Sequence, residues 1–209
     1  MKWIDRSVND FVTELGSKSA VPGGGGAAAL LGSIGVALAG MVANFSSTKK
    51  KTEDQKARIA ELLEESQKLQ QRLLELTDLD AENFLPLSKA YGLPTESAEQ
   101  KEEKEAVLEQ ALKKACEVPL EIVLICHKGI ELHHELVHLS SKLVISDIGV
   151  GVQALKAGLL SAQLNVQINL KLIKDEDFIS KIRKQVDPLI PDGVKKADEV
   201  YEIVVQAVS

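Results

Sequence analysis

From Ser19 to Thr48 the chain carries no Lys, Arg, Asp, Glu or His. A run that long and uncharged must either cross a membrane or lie inside a fold as a central helix. It is rich in Ala and Gly rather than Leu and Phe, has no aromatic belt, and stands among otherwise amphipathic segments, so a buried central helix is the expected outcome. Val21-Pro22-Gly23-Gly24-Gly25-Gly26 leads into it as a glycine-rich loop feeding a helix N-terminus. Ala28, Gly32, Val36 and Gly40 share one face of that helix, so neighbouring backbones can approach closely. Lys49, Lys50 and Lys51 follow, which suits a helix C-terminus electrostatically.

A helical core is consistent with the composition. Aromatic residues make up only 3% of the 209 residues, so the interior must be built from Leu, Ile, Val and Ala, as in packed helices. The expected architecture is all-α: a single-domain bundle over residues 1–209 of long, partly kinked antiparallel helices. A formal net charge of -6 argues against a nucleic-acid partner, which would demand a surplus of Lys and Arg. Cys116 and Cys126 fall in one predicted helix, about 15 Å apart for ten residues, too far to bridge. With no apolar leader after Met1, they point to a reducing, cytoplasmic setting and to no membrane association.

Helical spacing organises the rest. Trp3, Ile4, Val8, Phe11, Val12 and Leu15 predict a first short amphipathic helix. From about Thr52 to Lys89 a seven-residue pattern aligns Ile59, Ser66, Leu73, Asp80 and Leu87, with Leu62, Leu69, Leu76 and Asn83 in the complementary position. Asp80 is thereby placed on the apolar seam, and Asp78, rotated by about 200°, should project outward. Pro86 is expected to kink or end this helix. Another helix runs from near Ser97 through Pro119 to a break at Ser140-Ser141, and a later one from about Asp147 to Ile173. On the latter, Asp147, Gly151, Ala154, Gly158, Ser161 and Asn165 share a face with small residues in the middle, read as space for something flat. A closing amphipathic helix spans Val194 to Val208.

Taken in order, these segments resemble the formiminotransferase-cyclodeaminase and methenyltetrahydrofolate cyclohydrolase family. The similarity is carried by Ser19 to Ala29 at the head of the apolar helix, Thr77-Asp78-Leu79-Asp80-Ala81-Glu82-Asn83-Phe84 followed by Gly92-Leu93-Pro94, Val118-Pro119, Ser146-Asp147, and Asn165 to Leu170. Two departures are visible: Gly26 stands where the family usually has Ser, and Ser140-Ser141-Lys142-Leu143 where some members have Gly-Asn-x-Asn. The resemblance implies a helical homodimer whose clefts hold a tetrahydrofolate derivative, with or without a polyglutamyl tail, and no other cofactor. It also implies one of two reactions. Either water opens 5,10-methenyltetrahydrofolate to 10-formyltetrahydrofolate, or 5-formiminotetrahydrofolate closes to the methenyl compound with loss of ammonia. A chain of this length with no transferase half points to the first.

Both reactions pass through a tetrahedral adduct at a carbon flanked by two nitrogens, and need a base, an acid and a carboxylate near a cation, but no metal. Asp80 is the first candidate for acid/base work, because a carboxylate on a helix seam is costly to desolvate; a Lys-paired or capping Asp is the plainer alternative. Asp147 is expected to pair with Asp80 across the cleft or to bind the pterin ring, unless Ser146-Asp147 is an ordinary N-cap. Pro22, Gly23, Gly24, Gly25 and Gly26 could present N–H groups to a glutamate carboxylate of the substrate, or simply allow a sharp turn. Lys49 and Lys50 are candidates for a polyglutamyl tail, and Ser146, Asn165 and Asn169 for the pterin, with a solvated helix end and a satisfied core pair as the alternatives.

Two other readings compete. His134-Glu135-Leu136-Val137-His138 spells a zinc-hydrolase pattern, yet the third ligand is missing: no Glu occurs from Leu136 to Lys174, leaving only Asp147 across a predicted break. The seven-residue patterns alone would also fit a non-enzymatic helical scaffold.

Overall fold

The structure is a computed structural model that describes residues 2–47 and 50–209. Among the described residues seven α-helices follow one another: α1 Val8–Leu15, α2 Gly24–Ser46, α3 Glu53–Tyr91, α4 Ala98–Leu139, α5 Ile145–Leu170, α6 Glu176–Val186 and α7 Leu189–Val208. Two 3-10 turns, Trp3–Asp5 and Lys142–Val144, precede α1 and α5. The expected first helix is therefore split. Ser7 caps α1 through the Asp10 N–H, and the apolar Val8 and Val12 remain exposed.

Local chemistry sets the ends of the two longest helices. Thr52 and Gln55 form a reciprocal capping box at the start of α3, as Ser97 and Gln100 do for α4. α3 continues through Pro86 to Tyr91 rather than ending there, and α4 runs through Pro119 and stops at Ser140. At 1.5 Å per residue both helices are about 60 Å long.

α2 lies between α3 and α5, antiparallel to both. Its glycines and alanines explain the closeness: Gly26 meets Thr77, Gly32 meets Leu73 and Cys126, and Gly35 meets Gly151 and Leu155. α4 crosses against α2, α3, α5 and α7. It is antiparallel to α3, pinned by Arg72–Glu121 (2.6 Å) and Arg58–Glu135 (2.8 Å), but parallel to α7, where His127 meets Asp192 and Lys196 meets Glu131. The buried apolar side chains form one cluster of mostly Ala, Val, Leu and Ile drawn from α2 to α7.

The face of α5 read as space for a flat ligand is filled by helices. Gly158 abuts the Ala28 carbonyl and Cys126, and Gly151 abuts His133. His133 is fully buried and its Nε2–H donates to the Gly35 carbonyl at 3.0 Å, while burial pushes its pKa down to about 4.

Candidate active site

Asp80 reaches from α3 to the N-terminus of α2. Its Oδ2 accepts the Gly26 backbone N–H at 2.9 Å. A Cβ on Gly25 would lie 2.5 Å from the Asp80 Cγ, closer than any contact a side chain tolerates, so only glycine admits the carboxylate there. The anion at the glycine-rich helix terminus is thus the protein's own aspartate, and that N–H is not free for a substrate carboxylate. Burial pushes the Asp80 pKa up from 3.8 to about 6, against the opposing pull of the Gly26 N–H. At neutral pH the group is a carboxylate poised to accept a proton and return it.

Around Asp80 is a cavity of about 150 Å³, lined by the glycine loop from Gly23 to Gly25, by Phe84 of α3, Ala115 and Pro119 of α4, and Asn165, Ile168 and Asn169 of α5. The structure therefore brings Asp80, Gly23, Gly24, Gly25, Asn165 and Asn169 together. Gly26 contributes its N–H, and Pro22 is buried behind the loop. Asn165 donates to the Ser161 carbonyl at 2.8 Å and does not satisfy Asn169. Phe84, one turn beyond Asp80, is a wall residue that sequence reasoning left out, although its i+4 spacing from Asp80 marked it. Ile168, three residues after Asn165 on α5, also lines the cavity.

The other candidates lie elsewhere in the protomer. Asp147 and Ser146 sit in the first turn of α5, which begins at Ile145, two residues earlier than its predicted start, so neither is the N-cap. Eighteen residues, about 27 Å, separate Asp147 from Asn165 along α5, and Asp147 does not face Asp80 within one chain. Lys50 lies beyond the far end of α2 and is exposed; Lys49 is outside the described residues. Asp78 reverses its expectation: it is buried, because the Trp3–Asp5 turn covers that side of α3 and the Trp3 N–H donates to its carboxylate at 2.5 Å.

In the zinc-like pattern Glu135 is held by the Arg58 guanidinium through both oxygens, and His134 approaches Glu199 at 3.5 Å. His127, Glu131 and Asp192 come close enough to one another to surround an ion, but Lys196 already bridges the two carboxylates at 3.0 and 2.7 Å. A larger crevice of about 450 Å³ between α5 and α6, flanked by Lys171 and Arg183, contains none of the predicted site residues.

Comparison with known proteins finds relatives of this chain in sequence and in fold. The chain is 36% identical over 200 residues to a methenyltetrahydrofolate cyclohydrolase of Methylorubrum extorquens, covering 96% of each. It is 30% identical over 194 residues to the formimidoyltransferase-cyclodeaminase of Mus musculus, covering 93% of this chain but 36% of that longer protein. Its fold matches the crystal structure of a formiminotetrahydrofolate cyclodeaminase from Thermotoga maritima with a TM-score of 0.80 and 26% identity, over 97% of this chain and 95% of that one. Residues 7–188 match the family described as formiminotransferase-cyclodeaminase, and the chain belongs to that family.

Proposed function

We propose that this protein is a one-carbon folate enzyme that hydrolyses 5,10-methenyltetrahydrofolate to 10-formyltetrahydrofolate. The observation that carries the reading is Asp80, a carboxylate with a pKa near 6 held by the Gly26 N–H in the wall of a cavity otherwise lined by amide, small and apolar groups. The 36% identity to the Methylorubrum extorquens methenyltetrahydrofolate cyclohydrolase favours hydrolysis. Likeness to the Thermotoga maritima cyclodeaminase supports the alternative, closure of the formimino compound with release of ammonia.

In the hydrolysis, Asp80 takes a proton from a water as its oxygen bonds to the methenyl carbon. It then returns that proton to N5 as the carbon–N5 bond breaks, while the hydroxyl proton leaves to solvent as the formyl carbonyl forms. The substrate cation is stabilised by the carboxylate until attack neutralises it. Asn165 and Asn169 offer amide donors and acceptors to the pterin. No tetrahydrofolate fits wholly within 150 Å³, so only its reacting end enters the cavity.

The rest of the cleft is supplied by a second copy in this reading. α2 and α5 present adjoining apolar faces to the outside: Ile34 is 47% exposed, Phe45 64%, Val150 60%, Leu164 65% and Ile168 56%. Both helices are long and apolar enough to cross a membrane by length and composition, yet much of each is buried against its neighbours. A two-fold axis perpendicular to them would cover these faces in a homodimer and bring the Asp147 and Lys50 end of one copy toward the Asp80 cavity of the other. Such a protein would work in the cytoplasm without membrane attachment, as one domain, with folate as its only small-molecule partner.

The test is loss of methenyltetrahydrofolate absorbance, run beside ammonia release from the formimino compound, with and without chelator. Rapid hydrolysis that Asp80→Ala abolishes and chelator leaves unchanged is expected. No turnover on either folate overturns the enzyme reading, and ammonia release as the dominant reaction selects the alternative.

A further inference from the structure

Among the described residues, the wall of the Asp80 cavity has one ionisable group, the Asp80 carboxylate, and one ring, Phe84; its remaining side chains are the two asparagine amides and small or aliphatic groups, with no Lys, Arg or His. Phe84 is four residues beyond Asp80 on α3, which stacks the two side chains on one helix face, and it is half-buried against the core. In a chain with so few aromatics, a ring placed one turn from the carboxylate of the cavity is chemically informative. Diffuse, weakly hydrated cations are attracted both to a carboxylate and to an aromatic quadrupole, whereas neutral heterocycles of the same size gain only apolar contact from the ring.

We propose that Phe84 is a specificity-determining residue that, beside Asp80, selects the cationic form of a flat heterocycle over a neutral folate of the same size. The inference rests on the folate reading, in which the methenyl substrate is an amidinium cation and the formyl product is neutral. It assigns Phe84 a role in taking up the substrate and letting the product go, distinct from the proton transfers of Asp80.

The experiment replaces Phe84 in the full chain with a graded series of fluorinated phenylalanines, which withdraw charge from the ring face and keep its shape, and with Tyr and Leu. Two quantities are read: kcat/KM for 5,10-methenyltetrahydrofolate, and the inhibition constant of 5-formyltetrahydrofolate as the neutral probe. The expectation is a stepwise fall in kcat/KM with each fluorine, about 3- to 30-fold across the series. The inhibition constant should stay within about twofold, and Tyr should retain the wild-type preference. Full turnover with a flat fluorine response, or a Phe84→Leu variant that loses both ligands equally, shows an apolar wall without charge selection and overturns the proposal. Absence of turnover by the wild type on either folate refutes the underlying reading, and the role of Phe84 with it.

Discussion

Replacing Asp80 by Asn should stabilise the fold at neutral pH while abolishing activity. Asn keeps the size of the side chain and can still accept the Gly26 N–H, but it cannot ionise. The Asp80 pKa is raised from 3.8 to about 6, so the folded state holds the proton more tightly than the unfolded state does. Its contribution to stability is therefore fully present below pH 3.8 and is lost as pH rises through 6. Two pKa units at 1.36 kcal/mol each give a ceiling of about 3 kcal/mol, and the opening of the cavity to solvent reduces this to about 1–3 kcal/mol. For a chain of this size that is an increase of roughly 2–12 °C in Tm. Thermal or urea unfolding of wild type and Asp80→Asn at matched protein concentration should show the gap at pH 8 and its closure between pH 6 and 4. A variant less stable than wild type at pH 8, or a gap independent of pH, would refute the argument that desolvation dominates at Asp80.

Gly25→Ala should move the carboxylate out of its place on α2, costing about 1–3 kcal/mol and at least roughly tenfold in turnover, read by denaturation and by methenyl hydrolysis. His133, lowered to about 4 by burial, contributes stability that is present above its ordinary pKa of 6.5 and lost as pH falls toward 4. His133→Gln should flatten the acid limb of the stability curve in that window by about 3 kcal/mol, a difference visible in urea midpoints. If the second copy completes the cleft, Asp80→Asn and Asp147→Asn chains are each inactive alone. Refolded together in equal amounts they should recover about a quarter of wild-type activity, since half of the dimers are mixed and each has one intact site. No recovery, with mixed dimers present by native mass spectrometry, would place Asp147 outside the site.

Much of the helical plan was legible in one dimension because helices are local. The expected starts near Thr52 and Ser97 and the break at Ser140 are real, and the seven-residue pattern located Ile59, Leu73 and Leu87 in the core. The same pattern put Asp80 on the inner side of α3, and its raised pKa follows from that position. The charge-free segment was legible as a packed helix because Ala and Gly, unlike Leu and Phe, are the residues of close backbone approach.

What remained hidden depended on contacts between distant parts of the chain. Periodicity could say which side of α3 Asp78 occupies but not that the Trp3–Asp5 turn would cover it. It could identify an anion site at the glycine loop but not that Asp80, more than fifty residues later, would fill it. Nor could it separate a small-residue face made for a ligand from one made for α2 and α4, because both require the same absence of side chain. Residue type and spacing carry the local energetics of helices; only the packing of one helix against another decides which groups lose water, and so which carboxylate acquires a pKa near neutrality.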